Sequence, residues 1–326
     1  MSLITYSPAY TLVPTYECFN RCSYCNFRVD PGQDTWLSLD QARQRLAHLP
    51  ASVSEILILS GEVHPRSPRR AAWGEHIYNL AQLALEMGFL PHTNAGPLSR
   101  AEMAHLKQVN VSMGLMLEQL TPTLQQSVHR HAPSKEPQWR LQQLQWAGEL
   151  AIPFTTGLLL GIGETVDDWV ETLDAIAQVH QRWGHIQEVI LQPHQPGQGQ
   201  SWAGPALPAH RLLEAIHLAC QRLPPAITLQ IPPNLVESDQ ALWACLAAGA
   251  RDLGGISPID EVNPDYPHPS QPQLAQRLRR GGWHLVPRLP IYPHYDSWLA
   301  PHLQAAVQPW RRRLATQEAQ NSLNTI

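Results

Sequence analysis

Short apolar, β-rich runs alternate with helical runs along this chain, and the alternation repeats eight times. The strand candidates are residues 11–17, 55–59, 90–93, 110–118, 154–161, 188–193, 227–231 and 252–256. Several are continuous apolar stretches rather than strict alternations, which suits parallel strands buried on both faces. The helical period falls between them. Val166, Trp169, Val170, Leu173, Ile176 and His180 share one face of a helix over 166–180, with Thr165 as its N-cap and Asp168 three residues on. Ser38 with Gln41 opens a similar helix over 41–49, and 140–150 and 209–223 also carry the period. Eight strand–helix units define an α/β chain folded as a (β/α)8 TIM-type barrel, which takes about 250 residues. Residues from roughly 8 to 290 would supply it. The expected organisation is one barrel domain over 1–316 with a polar tail at 317–326. The proline- and acid-rich stretch 257–270 should lie over the barrel mouth.

Composition narrows the function. Hydrophobic residues make up 43% and charged residues 15%, enough for a sizeable core. A formal net charge of −4 gives no electrostatic footprint for nucleic acid. No apolar run is long enough to span a bilayer, and the N-terminus lacks a basic region followed by an apolar one. The expected site of action is the cytoplasm. Five cysteines do not make a disulfide scaffold, because three of them crowd into eight residues. Cys220 and Cys245 sit in apolar helical stretches and read as buried small hydrophobes. The 30 prolines cluster near strand ends and loops, where they stiffen connections.

The crowded trio is Cys18, Cys22 and Cys25, directly after the first strand candidate. In a barrel that position is the first βα loop, on the face where active sites lie. A cubic four-iron cluster takes one ligand per iron, so three thiolates leave one iron open. An open position marks a catalytic metal site rather than a closed structural one. The alternative is zinc, which usually takes paired C-x2-C halves or nearby histidines, neither of which is present. The spacing Cys-x3-Cys-x2-Cys, with Tyr24 before the last cysteine, resembles the radical S-adenosylmethionine (SAM) superfamily. That resemblance implies a [4Fe-4S] cluster and SAM as cofactors.

Other strand ends agree with it. Ser60-Gly61-Glu62 resembles the superfamily's Gly-Gly-Glu element, with Ser60 in place of the first glycine; a simple turn is the alternative. Glu118 ends the fourth strand and could bind a ribose, or be an N-terminal acid of the next segment. Arg130 could pair with the methionine carboxylate, or be a surface arginine. Gly161-Ile162-Gly163 resembles the superfamily's adenine-binding element, although a glycine-rich strand-to-helix turn could hold phosphate instead.

The resemblance can be narrowed. The runs 10–28, 58–65, 112–120, 154–165 and 263–267 are similar to the family of the first subunit of FO synthase, in register over nearly the whole chain. The family implies a radical SAM carbon–nitrogen lyase in deazaflavin (coenzyme F420) biosynthesis. It would close the ring of 5-amino-5-(4-hydroxybenzyl)-6-(D-ribitylimino)-5,6-dihydrouracil with loss of ammonia. FO synthase subunit 2 would supply that adduct, and a flavodoxin- or ferredoxin-type donor the electrons. Polar residues at strand C-termini are then candidate substrate contacts: His92, Asn94, Thr155, Gln192, Asn234, Asp260, Glu261 and Asn263. His194 is the first candidate for a catalytic base. The sister enzyme, which joins a tyrosine-derived fragment to 5-amino-6-ribitylaminouracil, and a non-catalytic zinc protein remain the alternatives.

Overall fold

The first strand lies upstream of the apolar run expected to form it. In a computed structural model, which describes residues 2–323 and the side chains of 2–317, β1 spans Ser2–Leu12. Pro14 has no N–H for a ladder. Just beyond it, Thr15 Oγ1 and the Tyr16 N–H both donate to the Asp34 carboxylate instead of to a neighbouring strand. Residues 13–17 therefore begin the loop that carries the cysteines.

The strands β2 (Glu55–Leu59) and β8 (Asp252–Ile256) fall where the sequence puts them. So, within two residues, do β3 (Leu90–Asn94), β5 (Phe154–Leu160), β6 (Ile186–Pro193) and β7 (Thr228–Gln230). By contrast β4 is only Ser112–Gly114. Beyond Gly114 the ladder is irregular, and Glu118, with a left-handed φ of 65°, rejoins β5 through an isolated bridge to Leu158. The N–H groups of Leu115 and Glu118 still reach the Thr155 and Gly157 carbonyls of β5.

Between the strands run α1 (Leu39–Ala47), α2 (Arg70–Glu86), α3 (Arg100–Leu106), α4 (Pro137–Glu149), α5 (Val166–Trp183), α6 (Ala209–Arg222), α7 (Asp239–Ala248) and α8 (Gln271–Arg280). Capping boxes at Ser38 and Thr165 start α1 and α5 as their spacing predicts. All strand pairs are parallel, and β1 pairs with both β8 and β2, which closes an eight-stranded barrel. Cys245 is buried under α7, but Cys220 is exposed, because α6 turns it away from the sheet.

A ninth strand was not legible in the sequence. β9 (Trp283–Pro287) pairs with Ser2–Tyr6, the half of β1 that β2 does not reach. Beyond it, Leu289, Ile291, Tyr295, Leu299, Leu303 and Val307 bury against Leu90 and Val111 at the N-terminal ends of β3 and β4. The chain thus covers the foot of its own barrel. Residues 317–323 continue the last helix, α9 (Pro301–Leu323), and 324–326 lie outside the described residues. No helix among the described residues is long and apolar enough to cross a membrane.

Strand alternation sorts the interior. Glu55, Leu57 and Leu59 of β2, His92 and Asn94 of β3, and Glu188, Ile190 and Gln192 of β6 line the cavities inside the barrel. The residues between them, such as Ile56, Ile58, Val189 and Leu191, pack into the helix layer.

Candidate active site

The cysteine loop is held by backbone bonds on three sides. Cys18 N–H donates to Val29 O (3.1 Å), Phe19 N–H to Glu62 O (3.0 Å), Arg21 N–H to His131 O (2.7 Å) and Ser23 N–H to Val128 O (3.0 Å). Beneath it the buried Glu17 carboxylate accepts from the Gly32 N–H and pairs with Arg69 at 2.9 Å. Gly61 permits the closest approach: a Cβ there would lie 2.2 Å from the Glu17 carbonyl oxygen. A side chain at this strand end would push the loop away.

All three thiols line one cavity of about 280 Å3 at the C-terminal rim of the barrel. Among the described residues no three His, Cys, Asp or Glu side chains converge on a point that a single ion could occupy, which does not suit zinc. A cubane takes each thiolate on a different iron and needs no shared vertex. Burial pushes the Cys18 thiol up to about 11 and the Cys22 thiol up to about 12. Without metal, Cys18 and Cys22 therefore stay protonated at neutral pH, and a bound metal's charge is what would hold them as thiolates. Three thiols on one wall, with no fourth ligand, fit a cluster with an open iron.

The other expected cofactor residues are brought together only in part. Tyr24, Ser60, Gly61, Glu62 and Glu118 share the cysteine cavity. Tyr24 OH sits 3.0 Å from His129 Nε2, and Ser60 Oγ accepts from Trp73 Nε1. Glu62 accepts from Asn20 Nδ2 at 2.9 Å and lies 3.4 Å from Arg140. The Glu118 carboxylate is buried against Lys135 Nζ, and those ion-pair charges hold it below the ordinary carboxylate range despite burial, which acts the other way. Its left-handed backbone is a strained conformation of the kind that clusters at functional sites.

Two of the expected elements stand off this cavity. Arg130 is exposed and does not line the cavity; the cations that do are Arg28, Lys135 and Arg140. The turn after Val128 directs Arg130 outward and returns the chain to the rim only at Lys135. Gly161, Ile162 and Gly163 also lie off the cavity wall. The Glu164 carboxylate already accepts the N–H groups of Gly161 and Ile162, and Ile162 packs with Leu124, Val128 and Leu159 in a small apolar cluster beside Tyr24.

Among the expected substrate contacts, Asn94, Gln192 and Asn263 line the same cavity, and His194 does too. Neither His194 nitrogen is free. Nδ1 lies 2.9 Å from Pro205 O and Nε2 3.0 Å from Gln200 Oε1, with Trp202 against the ring. Asn94, Gln192 and Asn263, with Leu57, Met116, Ile190 and Val262, also roof a second chamber of about 170 Å3 deeper in the barrel. There His92, Thr155 and Asp260 are found with Glu55, Glu188 and Arg288, which the sequence did not single out. Asn234 and Glu261 line neither chamber. Asn234 is drawn aside to donate to Asp260 (2.8 Å) and Tyr266 O (2.8 Å), and Glu261 accepts from Tyr16 OH at 2.7 Å.

A cysteine trio on the rim of a parallel barrel, next to a charged and enclosed cavity, defines a radical SAM enzyme, and the radical SAM superfamily profile matches residues 12–176. Its cofactors are a [4Fe-4S] cluster and SAM. Within the superfamily, the chain belongs to the 7,8-didemethyl-8-hydroxy-5-deazariboflavin synthase (FO synthase) family. It is 65% identical over 312 residues to the protein of that name from Nostoc sp. strain PCC 7120, covering 95% of this chain and 91% of the relative. It is 63% identical over 317 residues to the one from Synechococcus elongatus, covering 97% and 94%. The FeFe-hydrogenase maturase HydG from Carboxydothermus hydrogenoformans shares the fold at a TM-score of 0.70 and 17% identity, over 96% of this chain and 75% of that one. The chain is thus an enzyme of FO biosynthesis acting on a small molecule.

Proposed function

We propose that this enzyme closes the central ring of 5-amino-5-(4-hydroxybenzyl)-6-(D-ribitylimino)-5,6-dihydrouracil and releases ammonia, giving 7,8-didemethyl-8-hydroxy-5-deazariboflavin. The supporting observation is the identity of 65% over 95% of the chain to a protein named for that product. Bound SAM supplies the hydrogen-abstracting radical, and its reduction to methionine and 5′-deoxyadenosine balances the two hydrogens the substrate loses besides ammonia.

The chain's own residues orient the reactants and keep water out. The paired charges Glu62–Arg140 and Glu118–Lys135 suit the charged end of SAM, with Tyr24 beside them. The apolar waist of Leu57, Met116 and Ile190 suits flat rings, and the amides of Asn94, Gln192 and Asn263 can pair with a pyrimidinedione edge. His194 faces an oxygen acceptor at each ring nitrogen, Pro205 O at Nδ1 and Gln200 Oε1 at Nε2, and is the candidate base once Gln200 turns away. FO synthase subunit 2 supplies the adduct, and a reduced flavodoxin or ferredoxin supplies the priming electron, which the substrate returns as it is oxidised to the product.

Anaerobic reconstitution and turnover with the adduct tests this. The expected products are deazaflavin fluorescence, ammonia and 5′-deoxyadenosine in equal amounts. Consumption of tyrosine with 5-amino-6-ribitylaminouracil would assign the sister reaction instead. A zinc-loaded protein making no 5′-deoxyadenosine would remove catalysis altogether.

A further inference from the structure

The deeper chamber is built from groups that the rim chemistry does not use. Its floor holds three carboxylates, Glu55, Glu188 and Asp252, around one arginine, Arg288. The arginine's donors are largely committed. Arg288 Nε and one terminal nitrogen bind Asp252 at 2.6 and 2.8 Å, the other terminal nitrogen binds Leu289 O at 3.0 Å, and Glu188 completes the ion pair. Tyr292 OH and Thr155 Oγ1 both donate to Glu188.

The acceptors are not committed in the same way. Glu55 is the first residue of β2, is only 6% exposed, and takes no donor from Arg288. The Ser7 hydroxyl beside it forms no other bond, and a Cβ on the facing Gly255 would stand 3.8 Å from both Glu55 oxygens, so glycine leaves room in front of them. His92 adds a second open acceptor. Ser112 Oγ donates its proton to Pro290 O at 2.6 Å, so its lone pair must accept from His92 Nδ1 at 2.7 Å. That fixes the proton on Nδ1 and leaves Nε2 with a bare lone pair. Burial, with the Arg288 charge nearby, lowers His92 to about 3 and keeps the ring neutral.

A chamber floor whose arginine is engaged and whose Glu55 and His92 acceptors stand open selects a ligand part rich in hydroxyl donors. Of the three parts of the substrate, the phenol offers one hydroxyl and the pyrimidinedione mostly carbonyl acceptors. The ribityl chain offers four hydroxyls on a slender backbone. Resting on the ring-closure reading above, we propose that the deeper chamber is a polyol subsite, where Glu55 and His92 Nε2 accept hydrogen bonds from the ribityl hydroxyls. The reacting rings then stay in the upper cavity beside the cysteines, with the polyol chain as the anchor beneath.

The test uses reconstituted holoenzyme and two adducts, one with the ribityl chain and one with ethyl in its place. For wild type, the ethyl adduct is expected to show a KM higher by about tenfold or more, the scale of lost hydrogen bonds to a buried carboxylate. In Glu55→Gln and His92→Asn, prepared separately, the ribityl KM rises while the ethyl KM stays, so that discrimination shrinks. Equal KM values for the two adducts in wild type would overturn the subsite without needing any variant. Unchanged discrimination in both variants would overturn the assignment to these residues. Failure to convert either adduct, with no binding of the deazaflavin product by fluorescence quenching, would instead reject ring closure, and the subsite with it.

Discussion

Asn20 Nδ2 donates to Glu62 Oε2 at 2.9 Å while Asn20 Oδ1 accepts from the Ser134 N–H at 3.1 Å. One buried side chain thereby ties the cysteine loop to the end of β2 and to the turn that delivers Lys135. Asn20→Ala is expected to cost about 1–3 kcal/mol for the two buried bonds, and to lower the iron held per chain after reconstitution. Iron and sulfide assays with urea denaturation check this. Iron content equal to wild type would mean that the backbone bonds of the loop suffice.

Gly61→Ala should do more harm. The new methyl meets backbone, 2.2 Å from the Glu17 oxygen and 2.7 Å from its carbon, and backbone cannot swing aside as a flexible side chain can. Overpacking of this kind costs about 1–3 kcal/mol or more. The expected outcome is a barrel that still folds by circular dichroism but whose visible cluster absorbance is largely lost. Full cluster absorbance in Gly61→Ala would show that the loop tolerates displacement.

Lys135 and Arg130 can be separated by substitution. Lys135→Met leaves the Glu118 carboxylate buried without its cation, which costs about 3–5 kcal/mol when a buried pair is broken, and SAM binding should weaken. Arg130 is exposed, so Arg130→Ala should change SAM affinity by no more than about twofold. Anaerobic calorimetry of SAM binding compares the two. A large loss in Arg130→Ala, with Lys135→Met unaffected, would reverse the assignment of the cavity cation.

His185 gives a pH-dependent prediction away from the site. It is fully buried, neither ring nitrogen finds a hydrogen-bond partner, and burial lowers it to about 3. Between its ordinary value near 6.5 and about 3, the unfolded chain binds a proton that the native chain refuses. Stability therefore falls as pH falls through this window, by up to about 1.4 kcal/mol per unit. His185→Leu should add about 1–3 kcal/mol at pH 7.5 by removing unmet polar atoms, and more at pH 5.5. Denaturation at the two pH values checks the sign, and a smaller gain at pH 5.5 would contradict it.

Much of the barrel was legible because its buried parallel strands are continuous apolar runs bounded by turns, as in β2 and β8. The errors fall where side chains override that signal. Asp34 takes the donors that would have extended β1 past Pro14, and beyond Gly114 the Leu117 N–H turns to the Thr156 hydroxyl rather than to a β5 carbonyl. The cysteine trio was legible because its spacing is local. Lys135 and Arg140 were not, since which basic residue returns to the rim depends on the irregular turns between residues 119 and 136. Glu55 and Glu188 lie toward the starts of β2 and β6 rather than at the C-termini, and their inward direction follows from alternation along those strands. β9 stands outside the eight strand–helix units, pairing with the N-terminal half of β1 only.

The plug formed from Arg288 onward has a bearing on how the molecule is born. Pro290 sets the tautomer of His92 through Ser112, and Leu289 and Ile291 seal the barrel foot. A nascent chain still lacking this segment already owns its cysteines and all eight closing strands, yet its interior is open to solvent from below. Residues 288–307 must be made and packed before the chamber closes from below, so closing the eight strands does not by itself enclose the reaction space.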